Sequence, residues 1–443
     1  MLLVNRRRTK EQFELGNTTK IRITTYQAIE KRLKECEDIR TADYIICDEC
    51  HYFTADAKFN ASTDLSLQWI LNQNNSIKIF MSATPEGFHH LLSKHQSYAN
   101  LNPETIQLPT DYGYIESLSF FRQDNDLSVM KEIARDVLDT DRKAIFFVES
   151  AHDAYNLYCS LPEELALLCI SKRHKLYKYV HEDEIQEIIQ NETFEKQILI
   201  TTAVLDSGFT IKDEEIDTIV IDMLEPETII QCLGRKRVMN VADKVKLFIR
   251  SRANKNINGI ICKLQNQMNS ALQALTDPVA YEVQNNRGID TSGLIYDEYV
   301  RDDDEGFGLY TRQVNWTREA NTQYRINLYK QILKTSGQRN ISGYDRYIAG
   351  IFGFSEDDVS YIKPVDDDLN QYLESVVEQE FLTAKARKPL IDHIHATNSR
   401  RHVLRKIKSL NAVLEEDRLP YQIITYPRGQ HHHIWKVIRR DIS

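Results

Sequence analysis

The feature that most constrains how this chain can fold is the run Tyr44-Ile45-Ile46-Cys47-Asp48-Glu49-Cys50-His51. Four residues of buried-strand character end abruptly in two adjacent carboxylates. In an open parallel sheet the carboxyl ends of the strands are where ligands bind. A strand ending this way presents its acids to a metal ion and water, unless it is simply a solvated strand end. The residues farther along the chain favour the first reading. About thirty residues on, Ile77-Lys78-Ile79-Phe80-Met81 reads as a second buried strand and runs into Ser82-Ala83-Thr84-Pro85.

The two segments together resemble motifs II and III of superfamily 2 helicases, in the DExH-box branch, written here as Asp-Glu-Cys-His. Further matches fall in the family's order. Residues 2–7 (Leu-Leu-Val-Asn-Arg-Arg) resemble motif Ia and residues 23–27 (Ile-Thr-Thr-Tyr-Gln) motif Ib. Residues 143–150 resemble motif IV, residues 198–208 motif V, and residues 231–237 (Gln-Cys-Leu-Gly-Arg-Lys-Arg) motif VI. The resemblance covers residues 1 to about 250 and implies two RecA-like parallel-sheet lobes, the first incomplete.

The resemblance also implies roles. Asp48 would hold Mg²⁺ and Glu49 orient the attacking water of ATP hydrolysis. His51, Ser82, Ala83, Thr84, Asp206 and Gly208 would couple nucleotide state to the strand-binding face, Gly208 through a backbone turn. Gln231 would face the γ-phosphate, and Arg235 or Arg237 would be the arginine finger. The family's commoner spacing places the last Arg where Val238 stands, so the finger is split between the two, with Arg235 favoured. Arg6, Arg7, Thr25, Gln27, Thr201 and Thr202 match positions that grip nucleic-acid phosphates without reading sequence. The cofactors implied are ATP and Mg²⁺.

One departure is large. No Gly-x-x-x-x-Gly-Lys-Ser/Thr, the loop whose N–H groups cradle phosphates, occurs in the 443 residues. The matches begin at motif Ia, after the point where that loop stands in the family. The expectation is an N-terminally truncated motor, or one completed by an upstream polypeptide carrying the loop, with unpaired backbone and exposed apolar faces where the missing strand belongs. ATP hydrolysis by the chain alone is therefore doubtful. The competing readings are a catalytically inactive nucleic-acid-binding remnant and a subunit completed by a separate P-loop-bearing polypeptide.

Strand-like runs at 2–5, 20–24, 44–47 and 78–81 alternate with helical stretches at 26–35 and 65–71, which argues a parallel sheet with crossover helices. A Pro/Gly-interrupted stretch at 108–113 separates this from a second alternating unit, with strands at 144–148, 165–170, 197–201, 218–222 and 246–249. Domains are expected at 1–112, 113–252, 253–384 and 385–443. The third is a helical accessory region with acidic linkers, opened by a helix at 257–275 whose apolar face is Ile260, Ile261, Leu264, Met268, Ala271, Leu272 and Leu275. Its many aromatic residues read as core before they read as a base-stacking platform.

Net charge is −9, yet residues 385–443 carry 13 Lys and Arg against 5 Asp and Glu. A basic tail on an acidic body is the footprint of nucleic-acid contact confined to one module, or else a solvated Arg-rich face. Helices are expected at 389–395 and 399–414, the second carrying Arg401, Arg405 and Lys408, followed by a hairpin at 421–438. That order resembles a winged helix. DNA is favoured over RNA as partner. Seven scattered cysteines argue against a disulfide framework, and Cys47 and Cys50 fit the acid-bearing motif better than a zinc or redox pair. No run of apolar residues is long enough for a membrane span, so a cytoplasmic protein is expected.

Overall fold

The computed structural model describes residues 1–5, 20–58, 60–95, 103–122, 127–203, 210–284, 293–301, 308–335, 341–362, 367–394, 396, 403–416, 419–428 and 432–440. The chain forms two compact units, residues 1–123 with 130–361, and residues 124–129 with 362–443.

The first unit opens with a parallel lobe. Its strands are β1 (Leu2–Asn5), β2 (Arg22–Thr25), β3 (Tyr44–Cys47) and β4 (Ile77–Phe80), in the order β2-β1-β3-β4. Every pairing is parallel, with Leu3 opposite both Ile23 and Ile46, and Ile46 opposite Ile79. Among the described residues four helices serve it: α1 (Tyr26–Lys34), α2 (Tyr52–Ala55), α3 (Thr63–Leu71) and α4 (Glu86–Lys94). Val4, Ile45 and Cys47 are fully buried beneath Tyr26, Phe53, Leu67 and Leu91, which is why so short a strand holds its place. On β4, the last strand of this sheet among the described residues, Ile77 and Ile79 remain 57% and 41% exposed, as does Met81 beyond it at 43%.

The second lobe comprises β5 (Ile115–Phe121), α5 (Ser128–Leu138), β6 (Lys143–Val148), α6 (Ala151–Tyr158), β7 (Ala166–Cys169), α7 (Glu182–Asn191), β8 (Ile198–Thr201), β9 (Ile216–Asp222), α8 (Pro226–Leu233) and β10 (Val245–Arg250). Its sheet runs β5-β10-β9-β6-β8-β7, again parallel throughout. The central strands β6, β8 and β9 are covered on both faces, so their sequences read as near-continuous apolar runs. The two parallel α/β lobes expected from the sequence are thus present.

The accessory region is less purely helical than its sequence suggests. Helices α9 (Asn254–Thr276) and α10 (Pro278–Gln284) lead to an antiparallel hairpin of β11 (Ile295–Arg301) and β12 (Gly308–Val314). Then come α11 (Trp316–Lys334), α12 (Gly343–Ile351) and β13 (Val359–Ile362), which extends the second lobe's sheet beside β5. The buried stripe of α9 is Ile257, Ile261, Leu264, Ala271 and Ala274, whereas Leu272 is 60% and Leu275 42% exposed. The small alanines lie against the neighbouring elements and the two leucines do not. Tyr329 and Tyr344 are fully buried, core residues as expected.

The second unit runs α13 (Asp367–Ser375), β14 (Glu380–Phe381), α14 (Ala384–Ile394), α15 (Ile407–Glu416), β15 (Tyr421–Arg428) and β16 (His432–Arg439). The three strands form an antiparallel sheet, β14-β16-β15, over a core of Leu373, Leu390, Leu410, Leu414 and Val437. Two expected boundaries are corrected. Pro389 lies inside α14 instead of starting it, and the second helix begins at Ile407, not 399, so that it carries Lys408 while Arg405 precedes it. Proline is commonest at a helix start, but the apolar anchors Leu390 and Ile394 draw the preceding turn into the same helix. No described helix is long and apolar enough to cross a membrane.

Candidate active site

The carboxyl end of β3 is clamped from three sides. The Asp48 N–H donates to the Val4 carbonyl at 2.9 Å, the Cys50 N–H to the Met81 carbonyl at 2.9 Å, and the fully buried Tyr26 hydroxyl to the Asp48 carbonyl at 2.7 Å. Between these anchors the chain makes a tight turn. Glu49 adopts φ 52°, in the left-handed region, and its N–H donates to Asp48 Oδ1 at 3.0 Å. Burial, and secondarily the Glu49 charge, push the Asp48 carboxyl above its usual range.

From this turn a line of polar contacts runs into the second lobe. His51, 2% exposed, places Nδ1 3.2 Å from Glu49 Oε2 and 3.2 Å from Ser82 Oγ. An ionised carboxylate only accepts, so the Nδ1 proton is directed to Glu49. Ser82 Oγ accepts from the Thr84 N–H at 3.0 Å, and Thr84 Oγ1 accepts from Gln231 Nε2 at 3.1 Å. Thr84 and Gln231 are both buried. Gln231 sits on α8, a helix set by Pro226 in its first turn and closed at Gly234. The structure therefore brings together Glu49, His51, Ser82, Thr84 and Gln231, which lie 182 positions apart in sequence at their extremes. Ala83 is exposed beside them.

The three consecutive cations that follow Gly234 separate by side. Residues 235–237 are extended against Ile211, whose N–H donates to the Arg235 carbonyl and whose carbonyl accepts from the Arg237 N–H, both at 2.8 Å. Alternation then sends Lys236 inward, 2% exposed and paired with Asp243, and turns Arg235 and Arg237 the other way. Arg235 is partly buried. Arg237 is exposed, and its charge is felt by Tyr114, opposing the burial that raises that phenol.

Other expected residues are differently employed. Thr25 Oγ1 caps α1 by accepting from the Ala28 N–H at 3.2 Å, with Gln27 exposed in the turn it caps. Thr201 is fully buried and donates its hydroxyl to the Thr202 carbonyl at 3.0 Å, and Thr202 is itself buried. Lys408 is exposed in the first turn of α15, and Arg405 is exposed two residues before that helix, in the second unit. Arg6, Arg7, Asp206, Gly208 and Arg401 lie outside the described residues.

Two clusters went unread in the sequence. At the carboxyl end of the second lobe's sheet, Asp222 accepts from Arg250 and Arg252, each at 2.9 Å, and Arg252 also donates to Glu149 at 3.1 Å. The signal for it was the one used for Asp48, an acid closing an apolar run. The other, Lys58, Glu225, Glu227, Tyr324 and Arg325, surrounds a small recess that Gln231 also lines, and no motif announces it.

Among the described residues no group of three or more His, Cys, Asp and Glu side chains converges as a metal cage. Asp48 and Glu49 nevertheless fit Mg²⁺, which is commonly held by one or two carboxylates with water and phosphate completing its shell. A cation there would offset the desolvation that raises Asp48. Cys47 and Cys50 are buried thiols, both pushed upward by burial, and so poor thiolate ligands. No Gly-x-x-x-x-Gly-Lys-Ser/Thr pattern occurs in the sequence, so no step through a bound nucleotide is assigned to the residues of this chain.

Residues 4–87 match the family model described as "Type III restriction enzyme, res subunit", a span that holds most of motif Ia and all of Ib, II and III. No curated protein matches the chain. Among solved structures, the chain is similar to S. cerevisiae Dbp5 bound to RNA and ADP BeF3, at 14% identity over 58% of this chain and 72% of that one, with a TM-score of 0.42. It is similar to Mycobacterium smegmatis helicase Lhr bound to ssDNA and AMP-PNP, at 18% identity over 73% of this chain and 49% of that one, TM-score 0.40. The yeast DEAD-box splicing factor Prp28 matches at 16% identity over 59% of each chain, TM-score 0.26.

Proposed function

We propose that this chain is the motor part of a nucleic-acid helicase or translocase of the superfamily 2 kind, and that by itself it lacks ATPase activity because its phosphate loop is absent. The observation that carries this reading is the line Glu49, His51, Ser82, Thr84 and Gln231, which connects the acid turn of one lobe to the motif VI helix of the other. Such a line lets a change of charge at the turn be felt across the lobes. Asp48 is the Mg²⁺ ligand and Glu49 the water-orienting carboxylate in this reading. Mg²⁺ held there supplies charge neutralisation to a phosphoryl group. Arg235 is the better candidate finger, because it is partly buried on α8's exit while Arg237 reaches toward Tyr114.

DNA is the favoured partner, since the matching family model is named for a restriction enzyme subunit. The second unit's order of helix, strand, two helices and two strands supports a winged helix, with Arg405 just before and Lys408 in the first turn of the helix that would meet the phosphates. A second reading, completion by a separate P-loop-bearing polypeptide, is favoured by β4. Its outer edge and its exposed Ile77 and Ile79 suit a further parallel strand, which would deliver its carboxyl-end loop beside Asp48.

The test is ATP hydrolysis by the purified chain with and without single-stranded DNA, beside Glu49→Gln. The expected result is no turnover with salt-sensitive DNA binding retained. DNA-stimulated turnover abolished by Glu49→Gln would overturn the claim that the chain is inactive alone, and absence of DNA binding would overturn the motor reading.

A further inference from the structure

Helix α11 has no single apolar face. Thr317, Ala320, Asn321, Thr322, Ile326, Leu328, Tyr329 and Ile332 are all buried, so the helix is enclosed on several sides. Its first half belongs to the first lobe. Ala320 lies in that lobe's core, Thr317 Oγ1 is 3.0 Å from Thr63 Oγ1, Arg318 Nε donates to the Ala57 carbonyl at 2.7 Å, and Asn321 Nδ2 donates to the Thr54 carbonyl at 2.9 Å. Its second half belongs to the second lobe, where Ile326, Leu328, Tyr329 and Ile332 join the core formed by β5 to β10.

Where the halves meet, all three parts converge on the start of α8. Glu225 Oε1 accepts from Arg325 of α11 at 2.6 Å and lies 3.2 Å from Lys58 Nζ of the first lobe. Burial opposes ionisation of Glu225, but the two cations outweigh it and hold its carboxyl below the usual range. Tyr324 donates its hydroxyl to Glu227 Oε1 at 2.9 Å. From the first lobe, Gly87 of α4 comes so close that a Cβ there would stand 3.2 Å from Glu227 and 3.3 Å from Tyr324.

We infer that α11 is a tie between the lobes, which holds them at one angle without any ligand and fixes α8, and with it Gln231 against Thr84. A lobe movement of any size has to unseat half of α11 from one core or break the Glu225 junction. Lobe motion in this chain is therefore gated by a helix outside both sheets. The tie is independent of the motor reading, because what it fixes is a distance and not a turnover.

The test uses the full chain with Cys262→Ser, leaving Cys36 in the first lobe and Cys159 in the second as the exposed thiols for spin labels. Electron–electron dipolar distances without ligand are expected to be single and narrow. Glu225→Gln, which removes the charge but keeps the shape, and separately Gly87→Leu, which wedges the junction from the other side, are each expected to add a second, altered distance. The closed-to-open ratio falls by roughly tenfold for the charge variant, whose partners are partly solvated. Each variant's lobes are checked by amide protection of β3 and β9. A broad distribution in the parent, or a narrow unchanged one in both variants with protected strands, overturns the tie.

Discussion

Replacing Lys236 with methionine separates a structural role from a catalytic one at a place where sequence cannot. The ammonium donates to both Asp243 oxygens, and the two side chains are 0% and 1% exposed. Methionine keeps the aliphatic stem, so no large cavity opens, but Asp243 is left with only the Met239 N–H, at 2.9 Å, among these bonds. Breaking a buried pair from one side costs about 3–5 kcal/mol, because a desolvated charge remains. The matching control, Arg237→Met on the exposed side of the same extended segment, should stay within about 0.5 kcal/mol. The chain's three tryptophans are Trp69, Trp316 and Trp435, none of them in the second lobe, so fluorescence is a poor probe. Amide exchange of β9 and β10 reports that lobe directly. Lys236→Met should speed exchange of their slowest amides by roughly two to nearly four orders of magnitude. Adding Asp243→Leu should restore most of the protection, since an apolar pair of similar volume removes the stranded charge. A loss below about 1 kcal/mol, or one equal to that of Arg237→Met, would refute the reasoning.

Two further expectations concern burial and coupling. Burial lifts the Asp345 carboxyl to about 6 from 3.8, so the folded chain holds this proton where the unfolded chain has released it. Its contribution therefore grows as pH falls through about 6 and is complete below 3.8, amounting to about 3 kcal/mol, and Asp345→Asn should remove that slope from urea midpoints compared at pH 7.5 and pH 5. Identical pH dependence in parent and variant would count against it. Thr84→Ala and Gln231→Ala, combined in a double-mutant cycle by urea unfolding, should show coupling of about 0.5–1.5 kcal/mol, and additivity would mean that their bond across the lobes is not formed in solution.

The second lobe was legible because strands buried on two faces spell apolar runs, and the first because acids and hydroxyls close its short apolar runs at the sheet's carboxyl end. The resemblance named His51, Ser82 and Thr84 as coupling residues, and the structure puts His51 Nδ1 3.2 Å from Ser82 Oγ. The inward turn of Lys236 was not legible, since Arg235, Lys236 and Arg237 are alike in type and only the extended pairing with Ile211 assigns them sides. Helix α11 was hidden for a related reason. A helix enclosed by two lobes loses the one-sided pattern that marks an amphipathic helix, and its buried Thr317 and Asn321 pass for surface until their partners in the first lobe are known. In the second unit Pro389 displaced a boundary because its usual place at a helix start outweighed the apolar spacing around it. The two-residue strand β14 was too short to leave a pattern.

The conformation of Glu49 bears on the two readings of the acid pair, a proposed site and a solvated strand end. A solvated strand end has no reason to hold a glutamate at φ 52°, where an L side chain crowds its own backbone at a cost of about 1–2 kcal/mol. Glycine or asparagine would relieve that cost. Here the turn is fixed by bonds from β1, α1 and β4 as well as by the Asp48 carboxylate, so the strain is imposed from several directions at once. The imposed geometry has a specific result. It swings the Glu49 carboxylate onto buried His51 while leaving Asp48, desolvated and above its usual pKa, beside it. Two adjacent acids on an ordinary extended strand would point to opposite faces. The left-handed step lets both serve one end of the sheet, and strain held by so many contacts supports the proposed site over a strand that happens to end in charge.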